Sequence, residues 1–293
     1  MDPGPLRDAL TLGVGLLTGV LSAAFGVGGA VLSTPGIRLL GASAFVAVGT
    51  TLPSILPSAI SGTVRYARDD LIDWHVVQWT APVGVVSAVL GSLASHAVPG
   101  NGHWLMVMTA FFLGLTAWRV RPRAAVEPTA SGQTDDGRTR AGARDRADGD
   151  AAAADAVGPQ LAPGITYGAA SPFACAAVGG AAGGLSGLLG VGGGIVMVPG
   201  FTEVLGMPIK RAIATSLACV GVFAVPGTIT HAALGDIDWR FALLLAVAVV
   251  PGARLGAVIA IRADDRRLQS AVALFLGALA IGYGTAEIIA AVR

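Results

Sequence analysis

The stretch Leu189-Gly190-Val191-Gly192-Gly193-Gly194-Ile195-Val196-Met197-Val198-Pro199-Gly200 decides the fold. Four glycines in five residues sit inside an apolar run, and each costs a helix interior roughly 1 kcal/mol against Ala. A run that keeps them predicts a broken helix whose bare backbone is put to use. One short loop later comes Ala214-Thr215-Ser216-Leu217. The same pattern stands earlier, as Phe25-Gly26-Val27-Gly28-Gly29-Ala30-Val31-Leu32-Ser33-Thr34-Pro35-Gly36 followed by Gly49-Thr50-Thr51-Leu52. Gly26 aligns with Gly190 and Pro35 with Pro199 at a separation of 164. Leu52 aligns with Leu217, Gly62-Thr63 with Gly227-Thr228, and Asp73-Trp74 with Asp238-Trp239, at 165. Chance similarity between apolar segments would not hold register through a polar turn, so the chain is an internal duplication.

Only 13% of the 293 residues are charged and 54% are apolar, with mean hydropathy +0.71. Ordinary globular chains carry about 25% charged residues. The charges that exist crowd into one segment, with Arg138, Arg140, Arg144 and Arg146 beside Asp135, Asp136, Asp145, Asp148 and Asp150. Apolar runs long enough to cross a bilayer, about 20 residues, recur on both sides of it. The fold class that follows is an all-α polytopic membrane protein in the plasma (inner) membrane. A net charge of +1 gives no suggestion of nucleic acid. Cys175 and Cys219 both lie in apolar runs and read as small buried hydrophobes, with no disulfide framework. The N-terminus lacks a charged n-region and a cleavage site, so the first apolar run is expected to be retained.

Taken in order, residues 8–41 form a long stretch broken by the first glycine cluster. Val46–Val64 follows, then the polar turn from Arg65 to Trp74, then Val76–Val98 and Trp104–Trp118. The second half repeats this plan as Pro172–Gly206, Arg211–Ala233, Phe241–Ile261 and Leu268–Ile289. The organisation is therefore a first transmembrane repeat over 1–118, a polar linker over 119–162, and a second repeat over 163–293. The linker is rich in Arg, Asp, Ala, Gly and Pro and reads as solvated and disordered.

Charge placement bears on topology. If each half crossed four times, Arg65, Arg68, Arg119, Arg121 and Arg123 would face one side, and Lys210, Arg211, Arg262, Arg266 and Arg267 the other. That violates the positive-inside rule. If the first segment of each half is a re-entrant hairpin, three crossings remain per half and the repeats are inverted. Both basic groups and the linker then share the cytoplasmic face. Eight full spans is the competing arrangement, because Leu12–Ser33 alone could cross.

Irregular backbone at membrane depth is tolerated only where it is buried in protein or lines a cavity. The arms after the glycine turns, Ala30–Leu40 and Gly194–Leu205, would begin at such a tip. Their unpaired N–H groups and positive dipole ends suit an anion. The candidate substrate-binding set is Gly26, Gly28, Gly29, Thr50, Thr51, Gly190, Gly192, Gly193, Gly194, Thr215 and Ser216. Arg254 joins it as an intramembrane guanidinium without a carboxylate at helical spacing, on a helix where Pro251-Gly252 is expected to free carbonyls and open space beside it. The plainer alternatives are that the glycines permit close helix packing, that the hydroxyls bond their own helices, and that Arg254 caps carbonyls near the cytoplasmic end.

Gly190-Val191-Gly192-Gly193-Gly194 with Val198-Pro199, then Ala214-Thr215-Ser216-Leu217, and their weaker first-half copies, resemble the sulfite exporter TauE/SafE family of membrane transporters. The resemblance covers both halves, essentially everything outside 119–162. It implies a secondary transporter for a small anionic sulfur compound such as sulfite or an organosulfonate, coupled to an ion gradient. The first half departs from the pattern, with Ala30 at the third glycine and Thr51 at the serine, and the second half has no match to Pro53 and Pro57. The partners implied are the anion, the lipid bilayer, a coupling H+ or Na+, and a second copy of the chain. No cofactor, structural metal or catalytic residue is called for.

Two other functional classes match parts of the pattern. Gly184-Leu185-Ser186-Gly187 mimics the serine motif of an intramembrane protease, with His231 as a base, yet Ser186 aligns with Ser22 and His231 with Tyr66. The duplication thus explains the serine without catalysis. A non-transporting membrane assembly or receptor protein is the other alternative. Glu203 and Glu287 read as snorkelling residues near run ends, and Trp74, Trp104 and Trp239 as interfacial anchors. Because the linker composition cannot bury a core, replacing residues 128–158 with a flexible spacer should leave expression and transport near normal. Loss of folded protein would show that the segment docks.

Overall fold

The computed structural model describes residues 4–39, 41–42, 44–95, 103–120, 171–189 and 192–292. Residues 121–170, which include most of the 119–162 linker, lie outside that set, and so does the expectation that it is disordered. Every regular element among the described residues is a helix. The first half contains α1 (Pro5–Phe25), α2 (Ala30–Leu39), α3 (Ala44–Ala67), α4 (Trp74–Ser95) and α5 (His103–Val120). The second repeats them as α6 (Pro172–Leu189), α7 (Gly194–Glu203), α8 (Ile209–Leu234), α9 (Trp239–Arg262) and α10 (Asp265–Val292). Of these, α1, α4, α8, α9 and α10 are long and apolar enough to cross a bilayer. The helices break where the glycines stand: α1 stops at Gly26 with φ 66° and α7 starts after Gly193 with φ 37°.

Several contacts between the halves are reciprocal. Gly62 of α3 lies against Leu217 of α8, and its counterpart Gly227 lies against Leu52, the counterpart of Leu217. A Cβ on Gly19 of α1 would strike the Val249 carbonyl of α9, and one on Gly183 of α6 would strike the Gly84 carbonyl of α4. Each of these pairs maps onto the other at the duplication register. Backbones approach this closely only at small residues, the mode of helix association used where lipid removes the hydrophobic drive.

The same contacts fix helix directions. Gly15, Gly19 and Val20 of α1 meet Leu245, Val249 and Gly256 of α9, so the two run parallel. Thr50 and Ser61 of α3 bond Asp238 and Val250 of α9, so these also run parallel. Hence α1 and α3 run the same way, and the short α2 carries the chain back between them. Pairing of Leu52 with Gly227 and of Gly62 with Leu217 makes the duplicate helices α3 and α8 antiparallel. Gly114 beside Ala280 and Gly277 beside Ala117 do the same for α5 and α10.

Prolines inside α2 and α7 each free the carbonyl four residues earlier. Pro35 frees Val31, whose oxygen accepts the Tyr283 hydroxyl of α10 at 3.1 Å. Pro199 frees Ile195, whose oxygen accepts the Thr116 hydroxyl of α5 at 3.2 Å. Each broken arm is therefore held by the last helix of the other half, because an orphan carbonyl at this depth would cost about 1–3 kcal/mol. Tyr283→Phe and Thr116→Val should each lower stability by about 1 kcal/mol, read as a fall in thermal midpoint of the purified protein. Unchanged midpoints would mean that these carbonyls find other donors.

Candidate functional site

The two glycine turns meet at the centre of the molecule. Gly28 (φ 87°) and Gly192 (φ 81°) take backbone conformations open to glycine. A Cβ on Gly28 would stand 2.8 Å from the Gly192 carbonyl oxygen, and one on Gly194 would strike Gly26 and Val27. Gly26, Gly28, Gly29, Gly192, Gly193 and Gly194 are all buried. Ser216 joins the same junction, its hydroxyl donating to the Gly26 carbonyl at 2.8 Å. Gly190 lies outside the described residues.

The threonines sit elsewhere. The Thr50 hydroxyl accepts the Asp238 backbone N–H at 2.9 Å, and the Thr215 hydroxyl accepts that of Asp73 at 3.1 Å. These are duplicate bonds at the two polar turns, each tying one half to the other. Thr51 bonds the Val48 carbonyl and faces Thr34 at 3.2 Å. Arg254 stands apart from the junction. Its neighbours Gly252, Ala253 and Gly256 are buried against α1 at the level of Leu16–Val20, whereas Arg254 itself is exposed with Pro251 and Leu255 on the outer face of α9. Pro251-Gly252 opens no space beside it, because Gly252 is filled by the α1 backbone.

A group that glycine-centred reading of the sequence missed surrounds the first hairpin. Thr18, Ser22, Ser33, Thr34, Thr51, Ser54 and Ser58 are all buried, from 0% to 4% exposed. Their second-half counterparts are Ala182, Ser186, Met197, Val198, Ser216, Cys219 and Phe223. Five of seven positions have thus lost the hydroxyl. Several first-half hydroxyls bond locally, Ser33 to Gly29 and Ser54 to Thr51. Those of Thr18, Ser22 and Ser58 have no hydrogen-bond partner among the described residues. Thr18 and Ser22 stand beside Gly29, where a Cβ would lie 2.9 Å from the Thr18 methyl and 3.9 Å from the Ser22 hydroxyl. Gly62 abuts Ala23, and α1 and α3 run together, so Ser58 lies one turn away at the level of Gly19. The available signal was the Thr18-Ser22 spacing of one helical turn on a helix leading into the glycine break.

At the equivalent place in the second half, Ser186, Thr109, Phe112 and Gly193 enclose a cavity of only about 10 Å³ beside the start of α7. Phe223 takes up the space there, its ring 3.2 Å from where a Cβ on Gly193 would be.

Comparison with known proteins agrees with this architecture. The sulfite exporter TauE/SafE profile matches residues 11–283, nearly the whole chain. The chain belongs to the TauE/SafE family. It is 25% identical over 269 residues to the probable membrane transporter protein YunE of Bacillus subtilis, covering 88% of each chain. It is 26% identical over 277 residues to a probable membrane transporter protein of Xylella fastidiosa, covering 93% of each. A probable membrane transporter protein of Methanocaldococcus jannaschii is 25% identical over 283 residues, with 92% of each covered. No solved structure matches the chain. As a TauE/SafE member the protein is a multi-pass membrane transporter.

The features that suggested a protease fall into different parts of this TauE/SafE fold. Ser186 lines the small cavity beside α7. His231 lies near the end of α8 and faces Asp236 of the following turn at 3.1 Å. The ends of the helices carry the remaining charge. Arg119 pairs with Glu203 at 2.9 Å and Lys210 with Asp265 at 3.4 Å on the face of the Asp73 turn. Arg240 pairs with Asp8 at 2.6 Å on the face of the Asp238 turn.

Proposed function

We propose that this protein is a secondary transporter that moves a small anionic sulfur compound, sulfite or a short organosulfonate, through a site at the first hairpin. The observation that carries the reading is the one-sided set of buried hydroxyls around Gly29, three of them without partners among the described residues. Hydroxyls left unpaired in an apolar interior are costly. An oxyanion accepts several such donors at once, and the start of α2 adds backbone N–H groups and the positive end of its dipole. Neutral donors suit a substrate that must also leave, and among the described residues the hydroxyls named here carry no charge. The site is Gly26, Gly28 and Gly29 with Thr18, Ser22 and Ser58, and Thr51 sits about two turns from Ser58 along α3. Gly192, Gly193, Gly194 and Ser216 form the opposing wall. Thr50 and Thr215 act as ties between the halves, and Arg254 lies outside the site. An ion gradient, H+ or Na+, supplies the work.

The halves are inverted in the bilayer, each with a re-entrant first segment. Support comes from the antiparallel duplicates α3 and α8, from the common direction of α1 and α3, and from the basic residues gathered on the face of the Asp73 turn. Single cysteines at positions 140 and 264 should label from the cytoplasmic side and one at 236 from the opposite side. Labelling of 140 and 236 from the same side would overturn the arrangement.

Transport itself is tested with purified protein in liposomes under an imposed proton or sodium gradient, using radiolabelled sulfite and a short alkanesulfonate. Thr18→Val and Ser22→Ala should each raise KM about ten-fold, the loss of one hydrogen bond to a charged group. Arg254→Gln should leave KM unchanged. No flux of either anion in any gradient would refute the functional reading. Flux with KM untouched by Thr18→Val and Ser22→Ala would move the site away from the first hairpin.

A further inference from the structure

Duplicate seams in this molecule are not packed alike. Where α3 meets α9, the Ser61 hydroxyl donates to the Val250 carbonyl at 3.1 Å. The counterparts of Ser61 and Val250 are Pro226 and Val85, and proline has no hydroxyl to donate. At that second seam, between α3, α4 and α8, Pro226 and Val85 instead line an open groove of about 650 Å³. Its walls are almost wholly apolar, with Leu56, Ile60, Val77, Val222, Val225 and Ile229 among them. Ile60, Val222, Val225 and Ile229 are between 40% and 64% exposed. From Ala218 to Ile229 the groove follows α8 for about 17 Å, roughly half of a ~30 Å hydrocarbon core.

One end of the groove is polar. Trp74 lines both it and a second pocket of about 270 Å³, shared with Asp70, Asp73 and Arg211. The Arg211 Nε is sealed from solvent without a hydrogen-bond partner among the described residues. One Asp73 oxygen caps α4 by accepting from the His75 and Val76 N–H groups. Asp70 projects from a backbone held at φ 49°, the left-handed region that a non-glycine residue seldom occupies. Arg211, Asp70 and Asp73 thus line one small polar pocket that shares Trp74 with the apolar groove.

We propose that the two cavities form one binding site for a membrane phospholipid with a primary-amine headgroup, of the phosphatidylethanolamine type. The acyl chain lies along α8, the phosphate meets the Arg211 guanidinium, and the ammonium meets Asp70 and the free oxygen of Asp73. Charge complementarity selects this occupant. A free anion would gain Arg211 but face two carboxylates, and a lipid bearing phosphate without an amine would leave those carboxylates unmatched. The tryptophan at the junction sits where headgroup and chain divide.

The test is native mass spectrometry of the full chain in mild detergent, titrated with dioleoyl phosphatidylethanolamine, phosphatidylglycerol and phosphatidylcholine. Phosphatidylethanolamine should bind about ten-fold more tightly than phosphatidylglycerol, with phosphatidylcholine, which cannot donate from its headgroup, close to the latter. Arg211→Gln should weaken both phosphatidylethanolamine and phosphatidylglycerol. Asp70→Asn, at an exposed position that leaves folding intact, should erase the preference between them. Val222→Trp should weaken all three by filling the groove. Equal binding of the three lipids, or a preference unmoved by Asp70→Asn, would overturn the proposal. Displacement of bound phosphatidylethanolamine by sulfite or an alkanesulfonate would also overturn it, marking the pocket as a vestibule for the transported anion.

Discussion

Everything in this fold hangs on the contact between two peptide turns that have no side chains to separate them. Gly28 and Gly192 meet on the line that exchanges the halves, and Gly194 rests on the backbone of Gly26 and Val27. A methyl group at any of these places would force the tips apart. Once they touch, the arms α2 and α7 must turn away from each other. Their proline-freed carbonyls then need donors, and α10 and α5 supply them across the halves through Tyr283 and Thr116. The glycine-to-backbone crossings of α1 on α9 and of α6 on α4 extend the same logic outward. Close approach replaces the hydrophobic drive that lipid cannot provide.

Much of this was legible because a duplication repeats its own signals. The helix breaks at Gly26 and Gly192–Gly193, the arms starting at Ala30 and Gly194, and the caps at Asp73 and Asp238 all stand where the paired motifs put them. Membership of the TauE/SafE family was legible for the same reason. What the sequence could not disclose is which face of a helix turns inward. Arg254 looked like a buried cation because its neighbours are apolar, but lipid-facing positions of a membrane helix are as apolar as its core. Pro251-Gly252 looked like an opening, yet a glycine in such a helix is as often a seat for a neighbour's backbone. Conversely, Thr18, Ser22 and Ser58 are scattered through apolar runs and carry no motif. They become a group only when α1 and α3 are laid side by side.

The charged ends complete the arrangement without taking part in the interior. Glu203 meets Arg119 rather than carrying a proton into the core, and Lys210 meets Asp265 between the starts of two helices. These pairs are partly exposed and contribute little individually. Their value is positional, since each ties the end of one helix to another.

Phe223 marks a place where the two halves have diverged. Its ring occupies the space left by Gly84, where a Cβ would collide with it. The counterpart pair, Ser58 and Val249, reverses the sizes. Bulk has migrated from one helix to its partner at one seam and not at the other. Two halves that began as copies thus differ at their hairpins: one is packed by an aromatic ring, and the other keeps small buried hydroxyls. Two copies of the first half would lack the ring, and two copies of the second would lack the polar interior. One chain therefore holds both features only because its halves are unlike.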